Sequence, residues 1–120
     1  MSPEHNKSES VAEALDALDH GVQPDRPVLR DAVRALLTEL SQRAPGRSVE
    51  VRIPPFGAIQ CVPGPRHTRG TPPNVVETDP VTWLLVATGR LAWADAVADG
   101  RLRASGIRTD LSGYLPLGGE

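Results

Sequence analysis

The stretch DPVTWLLVATGRLAWADAVADGRLRASG, residues 79–106, carries the start and stop signals that decide the fold. It opens with Asp79-Pro80, which predicts a sharp helix start because aspartate is a good N-cap residue and proline is tolerated in the first turn. Gly89 is placed to end this helix in a left-handed conformation. The apolar side chains between these signals share one helix face: Val81, Leu84 and Leu85.

A second short helix and a strand follow within the same stretch. Residues 92–98 predict a helix that ends at Gly100, with an apolar face made of Trp93, Ala96 and Val97. Residues 101–107 alternate between charged and apolar or small side chains, which predicts a strand with one side formed by Leu102, Ala104 and Gly106. The remaining segment, up to Leu117, is apolar but interrupted by glycine and proline.

Upstream, two helices are predicted before any strand. A long helix over residues 26–43 has Asp25 as its N-cap, and its apolar stripe consists of Leu29, Val33, Leu36, Leu37 and Leu40. A shorter stripe precedes it and stops at Gly21, with Val11, Ala14, Leu15 and Leu18. Both helices present one apolar face, so both need a partner layer.

Between the helical regions, the hydrophobic period changes from that of a helix to two. Val49, Val51 and Ile53 alternate with charged residues, which predicts a half-buried strand. Pro54-Pro55 breaks it, residues 56–62 form its expected antiparallel neighbour, and residues 74–78 leave room for one more short strand. Runs of helices and strands indicate an α+β fold, a mainly antiparallel sheet with helices packed on one face.

Length and composition are those of one domain. The chain has 120 residues, of which 39% are apolar, too many for a disordered protein. We expect a disordered leader over residues 1–10, a single domain over residues 11–117 and a tail over residues 118–120.

Several classes of function are disfavoured. The formal net charge of −2 argues against a nucleic-acid-binding protein, which is usually strongly basic. No apolar run is long enough to span a membrane, and the polar N-terminus lacks the apolar region of a secretory signal. The single cysteine, Cys61, fits a reducing environment, so we expect a cytoplasmic protein.

The residues offer little chemistry for catalysis. Nucleotide-binding and metal-binding motifs are absent, and the three histidines are scattered, so neither a cofactor nor a metal site is predicted. Cys61 with His67 could form a nucleophile and base, but a thiol among apolar neighbours is ordinarily inert. We therefore expect a protein that is not an enzyme and has no catalytic residues.

Two regions remain as candidate binding sites. Arg66, His67 and Arg69 lie in a proline- and glycine-rich loop, where they could clamp a carboxylate or phosphate. The plainer interpretation, which we favour, is a solvated crossover whose arginines pair with Glu77 or Asp79. The apolar C-terminal third either builds the core or walls a pocket, and its large side chains include Trp83, Leu84, Trp93, Val97, Leu102 and Leu115.

The stretch that opens this section also resembles the C-terminal half of sterol-carrier-protein-like domains. The similar features are a helix ending in Thr88-Gly89-Arg90, a second short helix and a Gly-Arg-Leu strand that ends at Ser105-Gly106. Residues 26–117 as a whole are similar to a compact bacterial branch of that family.

The resemblance implies a curved five-stranded sheet with helices on one face, enclosing an apolar tunnel. It implies non-enzymatic binding of a fatty acyl chain, an acyl-CoA or a sterol-like ligand. The tunnel would be lined by Trp83, Leu84, Trp93, Val97, Leu102 and Leu115, while Arg66, His67 and Arg69 could meet an anionic head group. An alternative is an accessory module with a packed interior that binds a protein partner, because related domains occur in mycothiol-dependent maleylpyruvate isomerase-like proteins.

Overall fold

A computed structural model describes residues 7–64 and 74–118. The order of elements is two helices, three strands, two helices, a strand and a 3₁₀ turn. Their bounds are α1 Lys7–Asp19, α2 Arg26–Arg43, β1 Val49–Ile53, β2 Gly57–Cys61, β3 Val75–Thr78, α3 Pro80–Ala87, α4 Trp93–Ala98, β4 Leu102–Ser105 and the 3₁₀ turn Ser112–Tyr114.

The strands form one mixed sheet in the order β2-β1-β3-β4. β1 pairs antiparallel with β2, and β3 pairs antiparallel with β4. β3 runs parallel to β1, since Val51 aligns with Val76. Two of the three pairings are antiparallel, so the α+β prediction with a mainly antiparallel sheet is confirmed. The described residues contain four strands, whereas the resemblance implied five.

The core lies between the helices and one face of the sheet. Val49, Val51 and Ile53 are buried on that face, while Glu50 and Arg52 point to the other face and form an ion pair of 3.0 Å. This follows from the two-residue period of a strand. The long helix α2 packs against α1, α3 and β2, so it organises the helix layer.

The helix starts and stops follow the sequence signals, with one difference in mechanism. Asp79 caps α3 by accepting hydrogen bonds from the Thr82 N–H at 3.0 Å and the Thr82 hydroxyl at 2.6 Å. Gly89 has φ of +83°, as its role at the helix end requires. Asp25 occupies the N-cap of α2, but its side chain makes no capping hydrogen bond.

Two elements, α1 and β4, differ from their expected bounds. α1 begins at Lys7, before the first residue of the predicted apolar stripe, and Ser10 is buried within it. Serine is small enough to fit the contact side of a helix that packs along another helix. β4 is shorter than the predicted strand and ends at Ser105. Leu102 is buried, whereas Ala104 and, beyond the end of the strand, Ile107 are exposed.

Candidate functional site

An apolar pocket lies in a groove between α1 and α2, with a volume of about 430 Å³. Its floor is formed by Leu15 and Leu36, which are almost completely buried. Ala12 on α1 and Ala35 on α2 lie beside this floor, and their small side chains leave a space between the two helices. The lining consists of Val11, Ala12, Leu15, Ala35, Leu36, Thr38, Glu39, Gln42 and Gly118.

One end of this groove is polar and is closed by the C-terminal segment. Glu39 Oε2 accepts a hydrogen bond from the Gly118 N–H at 2.8 Å and lies 3.3 Å from Arg43 Nη2. Arg43 Nη1 in turn donates to the carbonyls of Tyr114 and Pro116. Among the residues that line the groove, Glu39 is the one with a charged side chain, and that charge is negative.

A second pocket, of about 530 Å³, lies where the N-termini of α2 and α3 meet the turn between β1 and β2. The Arg26 guanidinium lies 5.0 Å from the centroid of the Phe56 ring, a cation–π contact across its wall. Asp79 lines the same pocket. Burial opposes ionisation of its carboxyl, but the hydrogen bonds from Thr82 outweigh that effect and lower the pKa of Asp79.

A third pocket, of about 340 Å³, adjoins the second at Asp79. Its walls include Glu77, Arg101 and Arg103. Charged walls of both signs are unfavourable surroundings for a hydrocarbon chain, because contact with it would displace water from the charges. The second pocket also has charged walls of both signs, from Asp25, Arg26 and Asp79, so the groove between α1 and α2 is the better candidate for an apolar ligand.

Three of the predicted tunnel residues lie together in the core. Trp83 and Leu84 are 0% exposed, Leu102 is 2% exposed, and all three belong to one buried cluster. The indole Nε1 of Trp83 donates to the Val33 carbonyl at 3.3 Å, which links α3 to α2. The tryptophan ring is therefore packed in the core, and its N–H group has a hydrogen-bond partner.

The other predicted ligand-binding residues lie nearer the surface or outside the described chain. Trp93 and Leu115 are half-buried against the core, and Val97 is 41% exposed because the short helix α4 buries only Ala96. Of the predicted residues, the six that the structure describes do not line the three pockets above. Their contact with a ligand stays a prediction, and Arg66, His67 and Arg69 lie outside the described residues.

Cys61 has the surroundings of a structural thiol. It is buried in β2, and burial raises the pKa of its thiol to about 11. A thiol with that pKa is almost entirely protonated at neutral pH and is a poor nucleophile. Within residues 7–64 and 74–118, no group of three histidine, cysteine or acidic side chains is placed to hold a metal ion.

Sequence reasoning missed the groove between α1 and α2. It identified both helices, but it placed the candidate pocket in the C-terminal third because the large side chains concentrate there. The available signal was the pair of small residues beside the apolar stripes, Ala12 on one helix and Ala35 on the other. Small residues leave space only when they meet across an interface, and the sequence does not show which residues meet.

A mixed four-stranded sheet with a helix layer on one face defines an α+β domain. Comparison with protein families is more specific. The family model described as bacterial SCP ortholog matches residues 25–117, so the chain belongs to this family. The match includes α2 and all four strands but not α1. A search of curated proteins finds no match to the chain. No helix in the described part of the chain combines the length and the apolar character needed to cross a membrane.

Proposed function

We propose that the protein is a non-enzymatic carrier of a lipid or another apolar ligand, such as a fatty acyl chain or a sterol-like molecule. The observation that carries the proposal is the apolar groove of about 430 Å³ between α1 and α2 in a member of the bacterial SCP family. Its volume falls within the range of about 300–1,000 Å³ that is usual for small-molecule pockets. The protonated thiol of Cys61 supports a role without catalysis, and a single reduced cysteine supports a cytoplasmic location.

The hydrophobic effect is large enough for this role. Each methylene group that leaves water contributes about 0.8 kcal/mol, so burial of ten methylenes contributes about 8 kcal/mol before the costs of binding. A net binding free energy of about −8.2 kcal/mol corresponds to a dissociation constant of about 1 μM. Because the costs of binding subtract from the contribution of about 8 kcal/mol, ten buried methylenes alone give a dissociation constant above 1 μM, which is the weak and reversible binding that suits a carrier.

The lining also favours one kind of head group. Glu39 supplies the charge at the polar end of the groove, and Thr38 and Gln42 supply neutral polar groups beside it. Arg43, 3.3 Å from Glu39 Oε2, weakens the negative potential there but does not line the groove. A carboxylate head group would therefore meet a carboxylate and no cation of the lining, whereas a hydroxyl can donate to a carboxylate or amide oxygen. We therefore propose that an uncharged amphiphile, such as a fatty alcohol, binds more tightly than the fatty acid of the same chain length.

Titration with a fluorescent fatty alcohol and the matching fatty acid tests this function, with native mass spectrometry to detect bound ligand. Ala12→Trp should fill the groove and abolish saturable binding. The matched control is Ala94→Trp, since Ala94 is exposed on α4 and does not line the groove. Absence of saturable binding to the wild-type protein, or equal binding by both variants, would contradict the proposal.

One observation favours a second candidate function, an accessory module that binds a protein partner. Trp83, Leu84 and Leu102, which the resemblance placed along a tunnel, pack into the core as any interior would. Under this hypothesis the purified protein binds no amphiphile, and a partner recovered by pull-down is lost on Leu115→Asp. Val22→Asp is the control for the added charge, because Val22 is also apolar and lies in the exposed connection between α1 and α2.

A further inference from the structure

The C-terminal segment, residues 114–118, is tied through Arg43 to the polar end of the groove between α1 and α2. Arg43 Nη1 donates to the Tyr114 carbonyl at 3.0 Å and to the Pro116 carbonyl at 2.8 Å. Its Nη2 lies 3.3 Å from Glu39 Oε2, in a charge-assisted contact between residues one helical turn apart. These three acceptors fix the position of the Arg43 charge beside the groove.

The Glu39 carboxylate, in turn, is held at one of its two oxygens. Oε2 also accepts the Gly118 N–H at 2.8 Å, so two donors in the described part of the chain hold this same oxygen. A carboxylate offers about four acceptor positions, and those on Oε1 can therefore accept a hydrogen bond from a ligand. Because the side chain is already ordered, its use in binding costs less conformational entropy than the use of a mobile side chain.

The charges at this end of the groove distinguish three kinds of head group. Glu39 lines the groove and Arg43 does not, but the two opposite charges lie 3.3 Å apart and together are neutral. An ammonium that donates to Glu39 also approaches the fixed charge of Arg43, which repels it. A carboxylate has no proton to donate and is repelled by Glu39. A hydroxyl donates to Glu39 without either repulsion.

We propose that Arg43 determines the head-group specificity of the groove: by neutralising Glu39, it makes the site select a neutral hydrogen-bond donor over a cationic one. The inference rests on the proposed carrier function. Arg43 acts through Glu39 and is thus a positioning residue. Without the charge of Arg43, Glu39 would be an uncompensated carboxylate, and the site would then favour an ammonium head group.

Competition against the fluorescent fatty alcohol tests this specificity with a ten-carbon alcohol, amine and carboxylic acid. At pH 7.5 the amine is protonated and the acid is ionised. We expect the wild-type protein to bind the alcohol most tightly of the three. In Arg43→Met the ratio of amine affinity to alcohol affinity should rise roughly tenfold, because a like charge close to the ammonium is removed.

Two further variants separate the local charge of Arg43 from its other effects. Arg30→Met is the matched control, because Arg30 is also on α2 and pairs with Asp31, and its loss changes the net charge equally. Arg30 lies nine residues from Glu39, about 13 Å along the helix and beyond the screening length in physiological salt, so the ratio should not change. Arg43→Lys keeps the charge without the planar fork, so it should retain the preference for the alcohol.

Three outcomes would overturn the role of Arg43. They are an unchanged ratio in Arg43→Met, an equal rise in Arg30→Met, and a rise in Arg43→Lys as large as that in Arg43→Met. A wild-type protein that binds the alcohol and the amine equally would also overturn this role and leave the carrier function standing. A wild-type protein that binds none of the three ligands would instead contradict the carrier function, and this inference with it.

Discussion

At the scale of single residues, Asp79 makes the clearest local contribution. Its carboxylate accepts hydrogen bonds from both the N–H and the hydroxyl of Thr82 at the start of α3. We expect Asp79→Ala to lower the free energy of unfolding by about 1 kcal/mol, within the range measured for N-caps. Urea denaturation monitored by circular dichroism measures this change in the free energy of unfolding. Asp25→Ala is the matched control. Asp25 occupies the N-cap of α2 but makes no side-chain hydrogen bond, so this substitution should lower the free energy of unfolding by less.

The Asp79 cap should also depend on pH in a defined direction. The pKa of this carboxyl is lowered in the folded protein from the usual value of 3.8, despite the opposing effect of burial, because Thr82 donates to the ionised form. A lowered folded-state pKa means that the stabilisation is complete above the unfolded-state value and is lost as pH falls through the folded-state value. The stability difference between wild type and Asp79→Ala should therefore shrink below about pH 4. A difference that is constant from pH 7 to pH 3 would contradict this mechanism.

Cys61 provides a second prediction at the residue scale. Burial raises its pKa from 9.0 to about 11, which lowers the thiolate fraction at neutral pH about 100-fold, and the thiol is also shielded from reagents. We expect alkylation of the folded protein at pH 7.5 to be at least about 100-fold slower than alkylation in guanidinium chloride. Rapid modification without denaturant would show that Cys61 is accessible and would reopen a chemical role.

At the scale of elements, the connection from α2 to β1 depends on a close backbone approach. Gly46 has φ of +149°, and a Cβ atom there would lie 2.1 Å from the Val62 carbonyl oxygen. Gly46→Ala should therefore destabilise the protein by more than about 2 kcal/mol. Gly21→Ala is the control, because Gly21 has φ of +71° but free space around it. Gly21→Ala should lower the free energy of unfolding by about 1 kcal/mol, because alanine is disfavoured in the left-handed conformation. Equal costs in chemical denaturation would show that the connection can shift at no penalty.

At the scale of the whole molecule, Trp83 links α3 to α2 at the centre of the core. It is completely buried, and its indole N–H donates to the Val33 carbonyl of α2. Trp83→Ala should lower the free energy of unfolding by about 3–5 kcal/mol, since it leaves a large cavity. Trp93→Ala should cost clearly less, because Trp93 is only half-buried. Urea denaturation detected by far-UV circular dichroism compares the two, and a similar cost for both would mean that Trp83 does not anchor the core.

The sequence predicted elements well wherever the signal is local. α2 has the predicted bounds because its apolar stripe and the flanking prolines act within a few residues of each other. β1 and the cap of α3 were predicted for the same reason. The face of α4 was predicted less well: Ala96 is buried, but Val97 is exposed, since a six-residue helix turns only one narrow side to the core.

The sequence by itself determined the α+β class, the bounds of most helices and strands, and a family membership that covers residues 25–117. These depend on periodicity, caps and turns, which act between near neighbours in the chain. Only the tertiary structure decided that β3 lies parallel to β1, that Trp83 fills the core, and that the apolar groove lies between α1 and α2. Those features depend on which side chains meet across elements distant in sequence, because a groove is the space that two packed surfaces fail to fill.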